Sequence, residues 1–150
     1  MHKIEEIGHV KSDITEPKKM IFACEMGIKS PNISYIILND CFKDGLKNIT
    51  DFSHLFVIYK LHKTERTDLT TYPGPKSIKN LPNVGIFASR SQYHPNNIGL
   101  RLVKLLEVKG NSLMVQGLDA IDGTPVIDIK PYIPHFDRPE TFICPKYYSW

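Results

Sequence analysis

Two short stretches hold most of the chemistry that this chain could perform. The first, Ser89-Arg-Ser-Gln-Tyr-His-Pro-Asn-Asn-Ile-Gly99, packs an Arg, a His and three amide side chains into eleven residues. The second, Gly117-Leu-Asp-Ala-Ile-Asp-Gly-Thr-Pro125, supplies two carboxylates and a hydroxyl. Both are rich in Gly, Asn, Asp and Pro and stand between apolar runs. That is the composition of loops that carry function on a scaffold of strands.

Each residue type admits more than one reading. Arg90 follows a short apolar stretch, where a guanidinium can grip a carboxylate or phosphate through two parallel hydrogen bonds. A surface ion pair with a nearby Asp is an equally good reading. Asn96 and Asn97 are turn formers by type, and within Tyr93-His94-Pro95-Asn96 a side-chain amide could also read the edge of a base. Taken alone, His94 reads as a surface histidine. Asp119 and Asp122 bracket Ala120-Ile121, so either could cap the turn or bind a ribose or an amino group. Asp128 and Lys130 lie two apart in a strand-like run, so they share a face while Ile127 and Ile129 point to the core. Such a pair is either an exposed, salt-linked strand face or a carboxylate and an ammonium presented beside Tyr132. His54 reads as a core or near-core residue, and His62, before a long loop, as the better site candidate.

Several chemistries are excluded by missing spacings. No two glycines stand two apart, so G-x-G-x-x-G is absent, as is G-x-x-x-x-G-K. C-x-x-C, H-x-H and H-E-x-x-H are missing as well, so no metal is expected. A serine hydrolase would need its G-x-S-x-G elbow. The net charge of +3 permits an anionic partner such as RNA. Cys24, Cys41 and Cys144 are odd in number and scattered, and read as reduced thiols of a cytoplasmic protein. No apolar run approaches the ~20 residues of a membrane span. The opening Met-His-Lys-Ile-Glu-Glu leads into no apolar region, so no signal peptide is expected.

The elements that must position these loops can be read from periodicity. The 150 residues, 41% hydrophobic and 23% charged, suit one globular domain. Strands are expected over 4–11, 20–24, 33–38, 85–89, 98–108, 112–118 and 124–130, the pair around Lys109-Gly110-Asn111 forming a hairpin. On the strand from Ile98, the side carrying Ile98, Leu100, Leu102, Leu106 and Val108 is the apolar one. Phe52 to His62 reads as a buried central strand. Phe42, Leu46 and Ile49 at helical spacing after Asn39 or Asp40 predict one short helix. The stretch 63–83, with Pro73-Gly74-Pro75, is a long loop of the kind that is usually functional or mobile. From Pro131 the prolines predict an extended, non-helical tail. Its Tyr132, Phe136, Phe142, Tyr147, Tyr148 and Trp150 suggest docking on this domain or on a second copy. The expectation is therefore mainly β: a small single-domain barrel with one short helix and long loops, not a Rossmann fold. Residues 1–137 would form the barrel and 138–150 the aromatic tail.

Together these stretches resemble the TrmO/TsaA (YaeB-like) family of S-adenosylmethionine-dependent tRNA methyltransferases. The family loop F-A-T-R-S-P-x-R-P-N-P-I-G-L stands here as Phe87-Ala-Ser-Arg-Ser-Gln-Tyr-His-Pro-Asn-Asn-Ile-Gly-Leu100. Its block G-L-D-x-x-D-G-T-P-V-x-D-I-K-P-Y is met at every fixed position from Gly117 to Tyr132. Phe52-Ser-His-Leu, Leu61-His62 and Ile7-Gly8-His-Val-Lys-Ser12 match further. The resemblance implies a β-barrel homodimer that methylates N6 of threonylcarbamoyl-adenosine beside the anticodon of tRNA. It would put S-adenosyl-L-methionine against His62, Lys63, Arg90, Leu100, Gly117, Leu118 and Asp119. It would leave Asn96, Asp128, Lys130 and Tyr132 near the target, with Asp128 as proton acceptor or relay and Lys130 as anchor. The chain departs from the pattern at Lys18-Lys19 after Pro17, at His94 in place of Arg, and at Asn97 in place of Pro. A TrmO-like enzyme for a small metabolite, and a non-catalytic module binding the donor or RNA, are the rival expectations.

Overall fold

The structure, a computed structural model, describes residues 1–149, and the side chains of residues 22 and 23 fall outside that description. Trp150, counted above in the aromatic tail, lies outside the described residues. Among the described residues there are eight strands: β1 (Gly8–Lys11), β2 (Ile33–Leu38), β3 (His54–Lys60), β4 (Thr70–Thr71), β5 (Val84–Gly85), β6 (Ile98–Lys109), β7 (Ser112–Gln116) and β8 (Pro125–Pro131). Six of them close into a barrel in the order β1-β2-β7-β6-β3-β8, and β4 pairs with β5 as a separate ribbon. Closure removes most of the free sheet edges that short strands with exposed backbone groups would otherwise present. The mainly β architecture expected from the sequence is the one observed.

Period-two alternation builds the core. In β3, Leu55, Val57 and Tyr59 point inward while His54, Phe56, Ile58 and Lys60 are half-buried on the outer side. Val10, Ile36, Leu38, Val103, Leu113, Val115 and Val126 complete the interior. Leu118, at the end of the barrel, is fully buried among them.

Two β-bulges overturn the expected faces. On β6 the odd residues face inward at first, because Gly99 must lie opposite Tyr59 and Val103 opposite Leu55. A bulge between Leu105 and Glu107 then reverses the parity. Val108 packs on the core, whereas Ile98, Leu100 and Leu106 are exposed. A second bulge lets Tyr59 face Val126 while Ile58 faces Asp128. Val126 and Ile129 therefore contact the core, and Ile127 is not among the core residues.

Helical turns replace several expected extended segments. The expected strand at 20–24 is helical, a 3-10 turn at Pro17–Met20 running into α1 (Ile21–Met26). Pro17 suits the first turn, where no backbone donor is needed, and Gly27 at φ 59 ends the helix. The expected helix after Asn39 is a pair of 3-10 turns, Asp40–Leu46 and Ile49–Asp51. In the tail Pro134 starts a one-turn helix, α2 (Pro134–Asp137), which Asp137 closes by accepting from the Ile133 amide at 2.8 Å. The stretch 63–83 contains β4, and the strand expected at 85–89 is β5 followed by a 3-10 turn.

The assignment of faces on the β6–β7 hairpin makes a direct prediction. Leu113→Ala, at a fully buried position, should lower the unfolding free energy by about 2–5 kcal/mol. Leu106→Ala, 39% exposed, should change it by no more than about 0.5 kcal/mol. Urea titrations of both variants check the assignment of faces.

Candidate functional site

β7 stops at Gln116, opposite Lys104, so residues 98–103 of β6 run on without a partner on that side. The two chemistry-bearing loops meet along this stretch. Arg90 donates from Nη2 to the Leu100 carbonyl at 3.1 Å. The next residue, Arg101, donates from Nε to the Gly117 carbonyl at 3.0 Å and reaches Asp119 Oδ2 with Nη1 at 3.4 Å. Consecutive residues of one strand thus tie the first loop to the second.

Asp119 is the centre of a small polar cluster at the barrel end. The hydroxyl of the buried Tyr59 donates to Asp119 Oδ1 in a very short contact. Tyr59 can lie there only because residue 99 is glycine: a Cβ at Gly99 would overlap the Tyr59 ring. Burial raises the Tyr59 phenol well above its usual value, and the Asp119 carboxylate adds to the rise. Cys24 on α1 belongs to the same cluster: desolvation pushes its thiol up to about 12, again with Asp119 adding to the rise. Cys24 is nonetheless solvent-exposed as a residue, so only the upward direction of its shift, shared between desolvation and Asp119, bears on its reactivity.

Backbone demands shape both loops. Asn96 (φ 68) and Asn97 (φ 47) take successive left-handed conformations, which Asn tolerates better than bulkier residues. Asn97 is buried and donates to the Arg66 and Gln92 carbonyls at 2.9 and 3.2 Å. His94 Nε2 lies 3.0 Å from the Ser89 carbonyl, and its ring meets Phe87 edge-on. In the second loop Asp122 accepts from the Ser12 amide at 3.0 Å, so it caps β1. Asn32 donates to the Leu118 carbonyl at 2.9 Å and accepts from the Gly117 amide through its own carbonyl.

The residues singled out from the sequence fall into two groups. Gly117, Leu118 and Asp119 sit at the barrel end, and the Leu118 side chain is fully buried, so only its backbone could face a ligand. Asp128, Lys130 and Leu100 lie on the outer face of β8, β3 and β6, where Ile58 stands between Asp128 and Leu100. Lys130 pairs with Asp128 Oδ2 at 3.0 Å, and Asp128 Oδ1 accepts from the Ile129 amide at 2.8 Å. Tyr132 packs its ring 6.0 Å from that of Phe56. The Asn96 carbonyl accepts from Lys60 Nζ at 2.6 Å on the same outer face. Lys63 reaches the Thr15 carbonyl at 3.3 Å, and His62 is exposed. His54 is half-buried, with Nδ1 2.8 Å from Ser53 Oγ, and is not a core residue.

Sequence reasoning missed Tyr59, Arg101, Asn32 and Cys24. The signals were faint: a polar handle on the last inward residue of an apolar strand, and an Arg inside the run Ile98-Gly-Leu-Arg-Leu-Val103. Two surface hollows, of about 410 and 380 Å³, contain none of the predicted residues. The smaller one, lined by Asp13, Ile14, Lys19 and Asn32, backs onto the second loop through Asn32 and Ile14. Among the described residues no His, Cys, Asp and Glu group could hold a metal ion, and no helix is long and apolar enough to cross a membrane.

A family model for the tRNA-methyltransferase O N-terminal domain matches residues 12–138. An "S-adenosyl-L-methionine-binding protein" of Archaeoglobus fulgidus is 40% identical over 134 residues, 89% of this chain and 91% of that one. The mouse "tRNA (adenine(37)-N6)-methyltransferase" is 40% identical over 96 residues, 64% of this chain but 22% of its own length. The crystal structure of TrmO from Pseudomonas aeruginosa superposes with a TM-score of 0.74 at 26% identity, over 95% of this chain and 61% of that one. Against several curated relatives the matched region spans half of their length or less.

The cluster around Asp119 predicts a pH effect of known sign. Cys24 and Tyr59 hold protons in the folded state that the unfolded chain would release. The Cys24 contribution is complete below the ordinary thiol value of 9.0 and is lost as pH rises towards about 12. The Tyr59 contribution is complete below the ordinary phenol value of 10.0 and is lost as pH rises through its raised folded value. Unfolding free energy should therefore fall above pH 9, and Tyr59→Phe should shrink that fall. At pH 7 the same variant should be less stable by about 1–3 kcal/mol, since a half-buried carboxylate loses a donor. Alkylation by iodoacetamide at pH 8.5 should modify Cys24 more slowly than Cys41 and Cys144, as read by peptide mass mapping.

Proposed function

The chain belongs to the tRNA-methyltransferase O N-terminal domain family, and on that premise we propose that it is an S-adenosyl-L-methionine-dependent methyltransferase acting on N6 of an adenosine in tRNA. The acceptor in this reading is threonylcarbamoyl-adenosine beside the anticodon. The observation that carries the proposal is the meeting of both loops on β6, with Arg90 on the Leu100 carbonyl and Arg101 on Gly117 and Asp119.

The residues present suit such a donor chemically. Arg90 uses one hydrogen bond on a carbonyl and pairs with no carboxylate among the described residues, so it can take the carboxylate of an amino acid. Asp119 keeps an exposed edge for a ribose hydroxyl or an amino group. Leu100 offers an exposed apolar surface to a base. His62, Lys63 and the backbone of Gly117 and Leu118 would complete the wall. When bound, S-adenosyl-L-methionine supplies a methyl group already activated on a sulfonium, so orientation of the acceptor nitrogen provides much of the rate.

Asp128 is the residue proposed to accept or relay the N6 proton. A carbamoyl substituent makes that proton more acidic than in plain adenosine, so a weak base suffices. Lys130, 3.0 Å from Asp128, is positioned to anchor a substrate carboxylate or phosphate. Asn96 and Tyr132, on the same outer face, would orient the acceptor.

Exposed Ile98 and Leu100 beside Phe56 and Ile58 support a homodimer in which this face borders a second copy and the acceptor enters between the two. Tyr148, which donates to the Ala88 carbonyl at 2.7 Å, supports a tail that docks on the barrel next to the Arg90 loop. We place the activity in the cytoplasm, where the free thiols of Cys24, Cys41 and Cys144 would stay reduced.

Methyl transfer from labelled donor into bulk tRNA, followed by nucleoside mass spectrometry, tests the proposal. Label in a modified adenosine supports it; label only in low-molecular-weight extract, or donor binding without transfer, overturns it in favour of a metabolite enzyme or a sensor. Asp128→Asn should lower kcat about 10²-fold with donor affinity unchanged by calorimetry. Arg90→Ala should weaken donor binding about tenfold, equivalent to ~1.4 kcal/mol.

A further inference from the structure

The 410 Å³ hollow lies beside the first loop, lined by Arg66, Thr70, Thr71, Tyr72, Asn83 and Tyr93 together with Asp68 and Leu69. Its floor is unusual for a surface. The Arg66 guanidinium carbon stands over the Tyr93 ring, 4.5 Å from its centroid. Its edge is closed by Asp68, which accepts from Nε at 2.9 Å and from Nη2 at 2.6 Å. Yet the Arg66 side chain is 67% exposed. With one face on a ring and the fork on a carboxylate, what remains open is its other flat face.

The pair with Asp68 is solvent-exposed, so its contribution to stability is modest, while its two parallel hydrogen bonds hold the guanidinium in one orientation. The Arg66–Asp68 pair carries no net charge, which makes it a poorer phosphate contact than an unpaired Arg. A neutralised, planar, pre-oriented group is suited instead to stacking on another plane. Tyr72, 66% exposed, adds a second aromatic surface to the same hollow. Thr70, Thr71 and Asn83 offer hydroxyl and amide groups at the rim for the edge of a base. The volume lies within the range of small-molecule sites.

The hollow is rigidly joined to the loop that bears Asn96. Asn97 donates to the Arg66 carbonyl at 2.9 Å, and the Asp68 amide donates to the Tyr93 carbonyl at 3.0 Å. We infer that this hollow is a seat for an unstacked nucleobase of the RNA acceptor, held between the Arg66 face and Tyr72 and not through its phosphate. The inference rests on the reading above that the acceptor is RNA, and it adds a contact surface away from both the donor wall and the Asp128–Lys130 pair.

The experiment measures binding of an end-labelled anticodon stem-loop RNA to the full chain by fluorescence anisotropy over a series of salt concentrations, with donor affinity measured separately. Tyr72→Ala should weaken RNA binding about tenfold, as loss of one base–aromatic stack does, with donor affinity unchanged. Arg66→Lys keeps the charge and loses the plane, and should weaken binding similarly. In both variants the slope of log affinity against log salt should match wild type, because no phosphate contact is lost. Unchanged affinity in both variants overturns the seat, and so does a slope smaller by about one unit. If wild type methylates tRNA but neither variant is affected, the seat fails and the proposed function stands. If wild type binds RNA in a Tyr72-dependent way but transfers no methyl group to tRNA, the seat stands and the proposed function fails. Absence of RNA binding by wild type overturns both.

Discussion

Gly99 has no room for a side chain, and much of the site follows from that. The Tyr59 ring occupies the space a Cβ would need, and from there its hydroxyl reaches Asp119. The first loop ends in Gly99 and the second opens at Gly117, so one ring contact brings the ends of both to the same place. Arg101 closes the arrangement by holding the Gly117 carbonyl and the Asp119 carboxylate together. In a poorly hydrated setting these hydrogen bonds reinforce one another, and removal of any one partner leaves a charge undercompensated. Asp119 is thus structural before it is anything else, and a ligand would meet a carboxylate whose position is already set.

What was legible in the sequence was what depends on local chemistry. The hairpin at Lys109-Gly110-Asn111, the strand at 33–38 and the closed β architecture follow from turn residues and alternation. What was not legible depends on partners far away in the chain. The side of β6 that faces the core is decided by Tyr59 opposite Gly99, forty residues earlier, and by a bulge that no single-sequence pattern announces. Taking the even residues as the apolar face was reasonable, since they are the more uniformly apolar. The barrel uses the odd ones because Val103 and Gly99 fit the curved interior. Residues 17–26 turn helical for a local reason instead: Pro17 stands where a helix can begin and Gly27 where it can end, signals that outweigh the short apolar run at 20–24. At the site, the motif residues could be listed from the sequence, but Tyr59 and Arg101, which hold Asp119 in place, could not. Their contacts cross between strands and loops whose adjacency only closure creates.

The bulges and the shortened β7 also explain how one strand can serve two surfaces. Leu100 and Arg101 are neighbours and therefore point to opposite sides. Leu100 contributes to an outer face shared with Ile58 and Asp128, and Arg101 to the polar cluster at the barrel end. Were β7 as long as β6, the backbone around residues 98–103 would be covered by a strand and the loops could not approach it. A barrel with one strand overrunning its neighbour can in this way offer backbone, edge and two faces over a few residues. Under the proposed reading this takes the place of the glycine-rich turn and helix start that a Rossmann fold would use, and accounts for the absence of their motifs.

The three arginines around the loops differ in electrostatic state, and that difference argues for a division of labour. Arg101 is mostly buried and tied to Asp119, so its charge is spent on the scaffold. Arg66 is exposed but neutralised by Asp68, whose carboxyl it holds below the usual range through hydrogen bonding. Arg90 is exposed and shares only a carbonyl, so it alone of the three presents an unpaired positive charge among the described residues. An anionic group arriving at this end of the barrel is therefore drawn to Arg90, because a carbonyl dipole offsets little of the charge. A planar uncharged group gains nothing there and has its best contact on Arg66 and the rings beside it. A nucleic acid carries both kinds of group, and sorting them onto different arginines would fix its register on the barrel more firmly than a uniform basic patch, which holds phosphate in many positions equally well.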